Sequence, residues 1–244
     1  MNLMNALNLG YIYLGDDLYL HKNSGLIFKY IKGGLSSIGF SEMEEKQARM
    51  LSSELYVTLQ EMRPVHNVVI PDMLVSIIPV TNDIAGKLIG HEFEQGREKY
   101  PAYLSFKNSQ KITEMLNARL PTENEWEYFC RAGSSDLFTF GSELPDDDEL
   151  EKWLNPDCSD LEKLSKNKFG LYSLYNCEWC SNLYTKDYLS KTNTEDHVIR
   201  GGGAYFWPWQ DEEWVWCLSA IRYPESELEE PFSCVRPVIE IVRC

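Results

Sequence analysis

Hydrophobic positions recur with a readable period in only part of this chain of 244 residues. Segment 26–40, LIFKYIKGGLSSIGF, alternates apolar and polar residues and breaks at Gly33 and Gly34, which predicts a hairpin turning on the glycines. Segment 68–80 is dense in valine and isoleucine, with Pro71 and Pro79 as punctuation, and reads as strand. Segment 42–61 is rich in Glu, Met, Lys, Gln and Leu and reads as helical, at least in part. Segment 107–118 sets Ile112, Met115 and Leu116 at helical spacing. The sharpest local signal is RLPTENEWEYFCRAG, 119–133. Thr122 followed three residues on by Glu125 makes a capping box, Gly133 is a natural stop, and Trp126, Phe129 and Cys130 fall on one helical face. Residues 1–23 read as an N-terminal extension or edge segment ahead of one domain over 24–244. Much of the chain up to 196 lacks strong periodicity, and the acidic segments 143–151 and 225–230 read as solvated loops. Connections this long must be held by side-chain packing or by ions.

Composition narrows the class. With 43% hydrophobic and 25% charged residues, and no low-complexity tract, the chain has the makings of a globular core. A formal net charge of −15 argues against nucleic acid, whose affinity comes from Lys and Arg on phosphates, and favours steering of a basic protein partner. The same charge also keeps a cytosolic protein soluble. The opening residues MNLMNALNLGYIYLG lack a basic region before their interrupted apolar run, and no stretch approaches the ~18 apolar residues that span a bilayer. Seven cysteines at irregular spacing, without an export signal, read as reduced thiols; a cytoplasmic protein with no membrane contact is expected.

Several pieces, in order, resemble the formylglycine-generating enzyme (sulfatase-modifying factor) family. They are Ile31-Lys32-Gly33-Gly34 with Ile38-Gly39; Arg63-Pro64-Val65-His66-Asn67-Val68; Pro79-Val80-Thr81-Asn82; and Tyr100-Pro101 through Ser105. Arg119-Leu120-Pro121-Thr122-Glu123-Asn124-Glu125-Trp126-Glu127-Tyr128 is close to a full copy of the family signature. Asn167, Phe169-Gly170-Leu171-Tyr172, Glu178-Trp179, Arg200-Gly201-Gly202 and Pro231-Phe232-Ser233-Cys234-Val235-Arg236-Pro237 complete the set, so the match spans roughly 24–242. The resemblance implies an α+β domain, a loop-rich variant of the C-type-lectin fold with little regular secondary structure.

The resemblance also implies chemistry, and there the sequence departs from the pattern. Active members hold copper(I) with two cysteines five residues apart, shortly after the Arg-Gly-Gly motif; Cu(I) is soft and prefers thiolates. Here the window 204–216 contains no cysteine. Counting from Arg200 puts Ala204, Tyr205 and Phe206 near the first ligand; counting back from Arg222 puts Trp214 near the second. Cys217 and Cys234, seventeen apart, read as small buried hydrophobes. Cys177-Glu178-Trp179-Cys180 has metal-like spacing but no second pair to complete a zinc site. His21, His66, His91 and His197 are isolated, and His66 is assigned a structural hydrogen bond. The family's calcium loop is reduced here: Ser173 stands at an Asp/Asn position and only Glu178 keeps its place, so calcium, which takes ~6 to 8 oxygens, is the one cofactor left open.

That leaves YFWPWQDEEW, 205–214. Its rings are interleaved with acids that are costly to bury unpaired, so part of it is expected at the surface. Aromatics rimmed by charge have the composition of an interface anchor. The candidate binding set is Tyr205, Phe206, Trp207, Trp209, Asp211, Glu212, Glu213 and Trp214, with no catalytic and no metal residues. The expected function is a non-catalytic protein- or ligand-binding module, a pseudoenzyme suited to a toxin-neutralising or defence complex. The alternative is a copper- or iron-dependent oxidoreductase of the same superfamily with relocated ligands.

Overall fold

The computed structural model describes residues 10–51, 59–191, 194–202, 213–226 and 231–242. In chain order the strands are β1 (Tyr11–Gly15), β2 (Leu18–His21), β3 (Ile27–Ile31), β4 (Gly34–Ile38), β5 (His66–Ile70), β6 (Asp72–Ser76), β7 (Glu178–Leu183), β8 (His197–Arg200), β9 (Arg222–Glu225) and β10 (Val238–Ile241). The helices are α1 (Glu42–Leu51), α2 (Asn82–Ile89), α3 (Phe106–Met115), α4 (Glu123–Arg131) and α5 (Asp147–Leu154). They form an α+β arrangement of three antiparallel sheets, ordered β1-β2-β3-β6-β10, β4-β5 and β7-β8-β9.

The largest sheet is packed on both faces. Phe28, Leu74, Ile239 and Ile241 enter one core cluster, with Trp179, Ile112 and Leu120. Ile31, Met73, Val75 and Val238 enter another, with Trp126, Phe129, Cys130 and Cys180. Strand β6 is buried at all five positions, Asp72 and Ser76 included, and this explains why its middle, Met73-Leu74-Val75, is apolar without alternation. A third cluster gathers Phe40, Trp153, Tyr175 and Trp214. Residues 10–21, ahead of the segment carrying the family motifs, supply the edge strand β1 and its neighbour β2.

The hairpin expected over 26–40 is not formed. β3 pairs with β2 and β6, whereas β4 pairs with β5, so the chain changes sheets at Gly33 and Gly34. Each half of the alternating pattern is satisfied by a different sheet, and local alternation carries no information about which strand will be the partner. A side chain at Gly33 would run into the backbone of Ile70 and Pro71. Asp72 fixes the junction: Gly33 N–H donates to Oδ1 at 2.9 Å and the Tyr30 hydroxyl to Oδ2 at 2.7 Å. Asp72 is buried, so Asp72→Ala is expected to cost about 2–3 kcal/mol in urea unfolding. A loss below about 0.5 kcal/mol would mean the two glycines hold the crossing unaided.

Helix α4 carries both bonds of its capping box: Glu125 N–H donates to Thr122 Oγ1 at 3.2 Å and Thr122 N–H to Glu125 Oε2 at 2.8 Å. Ala132, with φ 47°, takes the left-handed cap one residue before Gly133. The acidic segment 143–151 corrects the loop reading. Asp146 caps a helix, α5, that turns Trp153 into the third core while Asp147 and Asp148 face solvent. Among the described residues no helix is long and apolar enough to cross a membrane.

Candidate functional site

The glutamates of the 119–128 signature each meet an arginine. Glu125 forms a fork with Arg119, both oxygens at 2.7 Å. Glu123 receives Arg222 at 2.6 and 3.0 Å, and Arg222 also donates to the Thr185 and Glu61 carbonyls. Glu127, fully buried, accepts from Gly39 N–H at 2.8 Å, Arg131 Nε at 2.8 Å and Arg200 Nη2 at 2.5 Å. Burial alone would raise the Glu127 carboxyl; Arg131 and Arg200 outweigh it and hold it at about 2. Glu178, opening β7, pairs with Arg236 at 2.7 Å and accepts from Trp126 Nε1 at 2.7 Å. Arg236 donates as well to the carbonyls of Ser76 and Tyr172. Helix α4 and β7 are thus bolted to three arginines from the C-terminal third of the chain, Arg200, Arg222 and Arg236.

Arg200 ends β8 and leads into the glycine turn. Gly201 (φ 75°) and Gly202 (φ 136°) have backbone conformations that L side chains rarely adopt. A Cβ at Gly201 would run into the Asn176 carbonyl, and one at Gly202 into the Tyr223 hydroxyl. Tyr223 donates to the Gly201 carbonyl at 2.8 Å and lies 3.1 Å from Cys177 Sγ. Burial pushes the Cys177 thiol up to about 12. The chain thus leads into the candidate stretch through a packed turn roofed by a tyrosine and a neutral thiol.

Of the candidate binding residues, Tyr205, Phe206, Trp207, Trp209, Asp211 and Glu212 lie outside the described residues, as does the side chain of Glu213. Trp214 is the second residue of a short 3-10 turn, Glu213–Cys217, and is 3% exposed, edge-on to Phe138 at 5.9 Å in the third core. It packs the fold rather than offering a surface, a position that its company of acids at 211–213 disguised. Of the segment 225–230, only Glu225 and Ser226 are described.

The family profile "Sulfatase-modifying factor enzyme 1-like domain" matches residues 27–225. The chain belongs to this family. Among curated proteins, it is similar to the serine/threonine-protein kinases Pkn1 of Chlamydia trachomatis serovar L2 (strain ATCC VR-902B / DSM 19102 / 434/Bu) and Chlamydia pneumoniae. The identities are 23% and 24%, aligning 57% of this chain in each case with 29% and 27% of the relative. The chain thus spans under a third of the length of the relatives it matches. Among solved structures, it shares its fold with PvdO from Pseudomonas aeruginosa (TM-score 0.70, 16% identity, 94% of this chain and all of the other). Treponema denticola variable protein 1 is also similar, at TM-score 0.59, 16% identity, 94% of this chain and 98% of the other.

Within this sulfatase-modifying-factor-like domain, the described residues bring together no set that fits the metals of active members. Cys177 faces one core cluster and Cys180 another, three positions apart on opposite sides of the chain, so the pair cannot act as one chelate. All six described cysteines are free and buried, and burial pushes the thiols of Cys217 and Cys234 well above their ordinary value. For calcium, the Glu178 oxygens are engaged by Arg236 and Trp126, and the Ser173 carbonyl accepts from Arg236 and Asn176; a guanidinium already neutralises that loop. Among the described residues no three His, Cys, Asp or Glu side chains gather as a metal set. His66 makes the structural contact assigned to it, Nδ1 to the Pro64 carbonyl at 3.1 Å. Sequence reasoning missed the Cys177–Tyr223 contact, which joins residues 46 apart with no shared motif. It missed as well the ion-pair role of Glu123, Glu125 and Glu127, for which their alternation was the available signal.

Proposed function

We propose that this chain is a catalytically silent member of its family that works as a protein-binding module, docking through the aromatic and acidic stretch 205–213. The observation that carries the reading is an intact framework beside a window, 204–216, without a single cysteine. Every signature glutamate is paired with an arginine, and soft-metal oxidation needs thiolates that this window does not supply. In the chlamydial relatives the matched region is under a third of a protein named a kinase, an arrangement that suits a module serving another activity. With a net charge of −15, the partner is a protein with a basic face, such as a toxin neutralised by this chain or a component of a defence complex.

The test begins with capture from the native host, followed by purification of the captured protein and calorimetry against the wild type. Trp207→Ala with Trp209→Ala is expected to weaken that complex by about 30-fold or more, the range of buried aromatic anchors. Unchanged affinity would overturn the docking surface. Separately, titration with Cu(I) under reducing conditions is expected to show no stoichiometric tight site. A site that Cys217→Ser abolishes would reinstate an oxidoreductase with relocated ligands.

A further inference from the structure

Between helix α2 and the turn that leads into β3 lies a cleft of about 480 Å³, within the ~300–1,000 Å³ range of small-molecule sites. Its walls are aliphatic. Leu26, Ile77 and Ile84 are buried, Ile78 and Leu161 are half-buried, and no aromatic side chain is among the described residues that line it. The charged groups of that lining are Asp83, Lys87 and Lys99. Both ammonium groups meet one carboxylate oxygen, Asp83 Oδ2, with Lys99 at 2.8 Å and Lys87 at 3.5 Å. The other oxygen, Oδ1, accepts from the Thr81 hydroxyl at 2.5 Å.

Two cations on one carboxylate leave a surplus positive charge at this lining, in a chain whose net charge is −15. Each ammonium carries three donors and commits one to Asp83, so both keep donors for a ligand. Solvent reaches them, since the lysine side chains are 67% and 52% exposed. Because the two nitrogens share one oxygen, a second carboxylate can bridge them and complete a ring of alternating charge. A surplus of one charge suits a monoanion, and aliphatic walls without rings suit an aliphatic tail. We propose that this cleft binds a medium-chain alkanoate. Its carboxylate meets Lys87 and Lys99, and its tail packs on Leu26, Ile77, Ile78 and Ile84. The site is independent of the docking loop: a cleft without ligand leaves the Trp207 and Trp209 experiment untouched, and the reverse holds too.

Three probes separate tail from charge by calorimetry or ligand-observed NMR on the full chain: octanoate, hexanoate and octylamine. Octanoate is expected to bind, and hexanoate about fifteenfold more weakly for want of two buried methylenes. Octylamine keeps the tail and reverses the charge, so it should bind at least about twentyfold more weakly than octanoate. Lys87→Gln and Lys99→Gln, both at exposed side chains, should each weaken octanoate about fivefold and together about twentyfold. Asp83→Asn gives the distinctive result. It keeps the oxygen that Thr81 meets and frees both ammonium groups, so octanoate should bind about two- to fivefold more tightly. Octylamine binding as well as octanoate would overturn the proposal, as would a double lysine variant with wild-type affinity or an Asp83→Asn variant with no gain. So would the absence of octanoate binding at millimolar concentration.

Discussion

Replacing Glu127 by glutamine is expected to lower the stability of the domain by about 3–5 kcal/mol, measured by urea unfolding. The shape of the side chain is kept and only the charge is removed. Arg200, with no exposed surface, then loses the carboxylate that neutralises it, and Arg131 retains only Glu44. Breaking a buried pair costs far more than the pair is worth against an apolar replacement, because one uncompensated charge stays behind. The pH dependence carries the same signature. The folded Glu127 carboxyl is held at about 2, below its ordinary 4.5, so the folded state binds fewer protons than the unfolded one. Its contribution, about 3 kcal/mol from ~2.5 pH units, is complete above about pH 4.5 and is lost as the pH falls toward 2. The wild type should therefore lose stability across that window, and Glu127→Gln should lose correspondingly less there. A variant within about 0.5 kcal/mol of the wild type, with an unchanged acid limb, would show that water enters and screens the pair.

Much of the frame was legible because local rules and global packing agree over it. The capping box at Thr122 and Glu125 and the face formed by Trp126, Phe129 and Cys130 are set by spacing within one helix, and they stand as read. The crossing at Gly33 was misread because alternation states which face a residue takes and is silent on which strand lies beside it. The helix at Asp147–Leu154 was hidden by its own acids: they sit in the first turn, where the helix dipole and the Asp146 cap favour them, yet a run of acids is also what a solvated loop looks like. At the candidate site, missing thiols were visible as missing letters, but the destination of each glutamate was not. Arg222 lies 99 residues from Glu123 and Arg236 lies 58 from Glu178. Trp214 shows the same limit in reverse, since a ring beside acids has one composition whether it faces out or, as here, into Phe138 and the third core.

Gly201→Ala is expected to cost about 2–5 kcal/mol, and no second substitution should recover it. Two terms add. The residue is held at φ 75°, where an L side chain costs ~1–2 kcal/mol. The new methyl group also meets the carbonyls of Asn176 and Leu174, and forcing volume into such a place costs ~1–3 kcal/mol. Both obstacles are backbone, fixed by β7 on one side and by the Tyr175 carbonyl, which accepts from Gly202 N–H at 3.0 Å, on the other. Gly202→Ala makes the informative contrast. Its methyl meets the Tyr223 side chain, the hydroxyl most severely and the ring carbon that bears it at 3.0 Å, so Tyr223→Phe should relieve part of the damage when the two are combined. A double-mutant cycle should then give a coupling of about 1 kcal/mol or more for Gly202 with Tyr223, and none for Gly201 with Tyr223 beyond the loss of the 2.8 Å bond to its carbonyl. Equal rescue at both positions would mean that the turn yields as a unit rather than at one side chain.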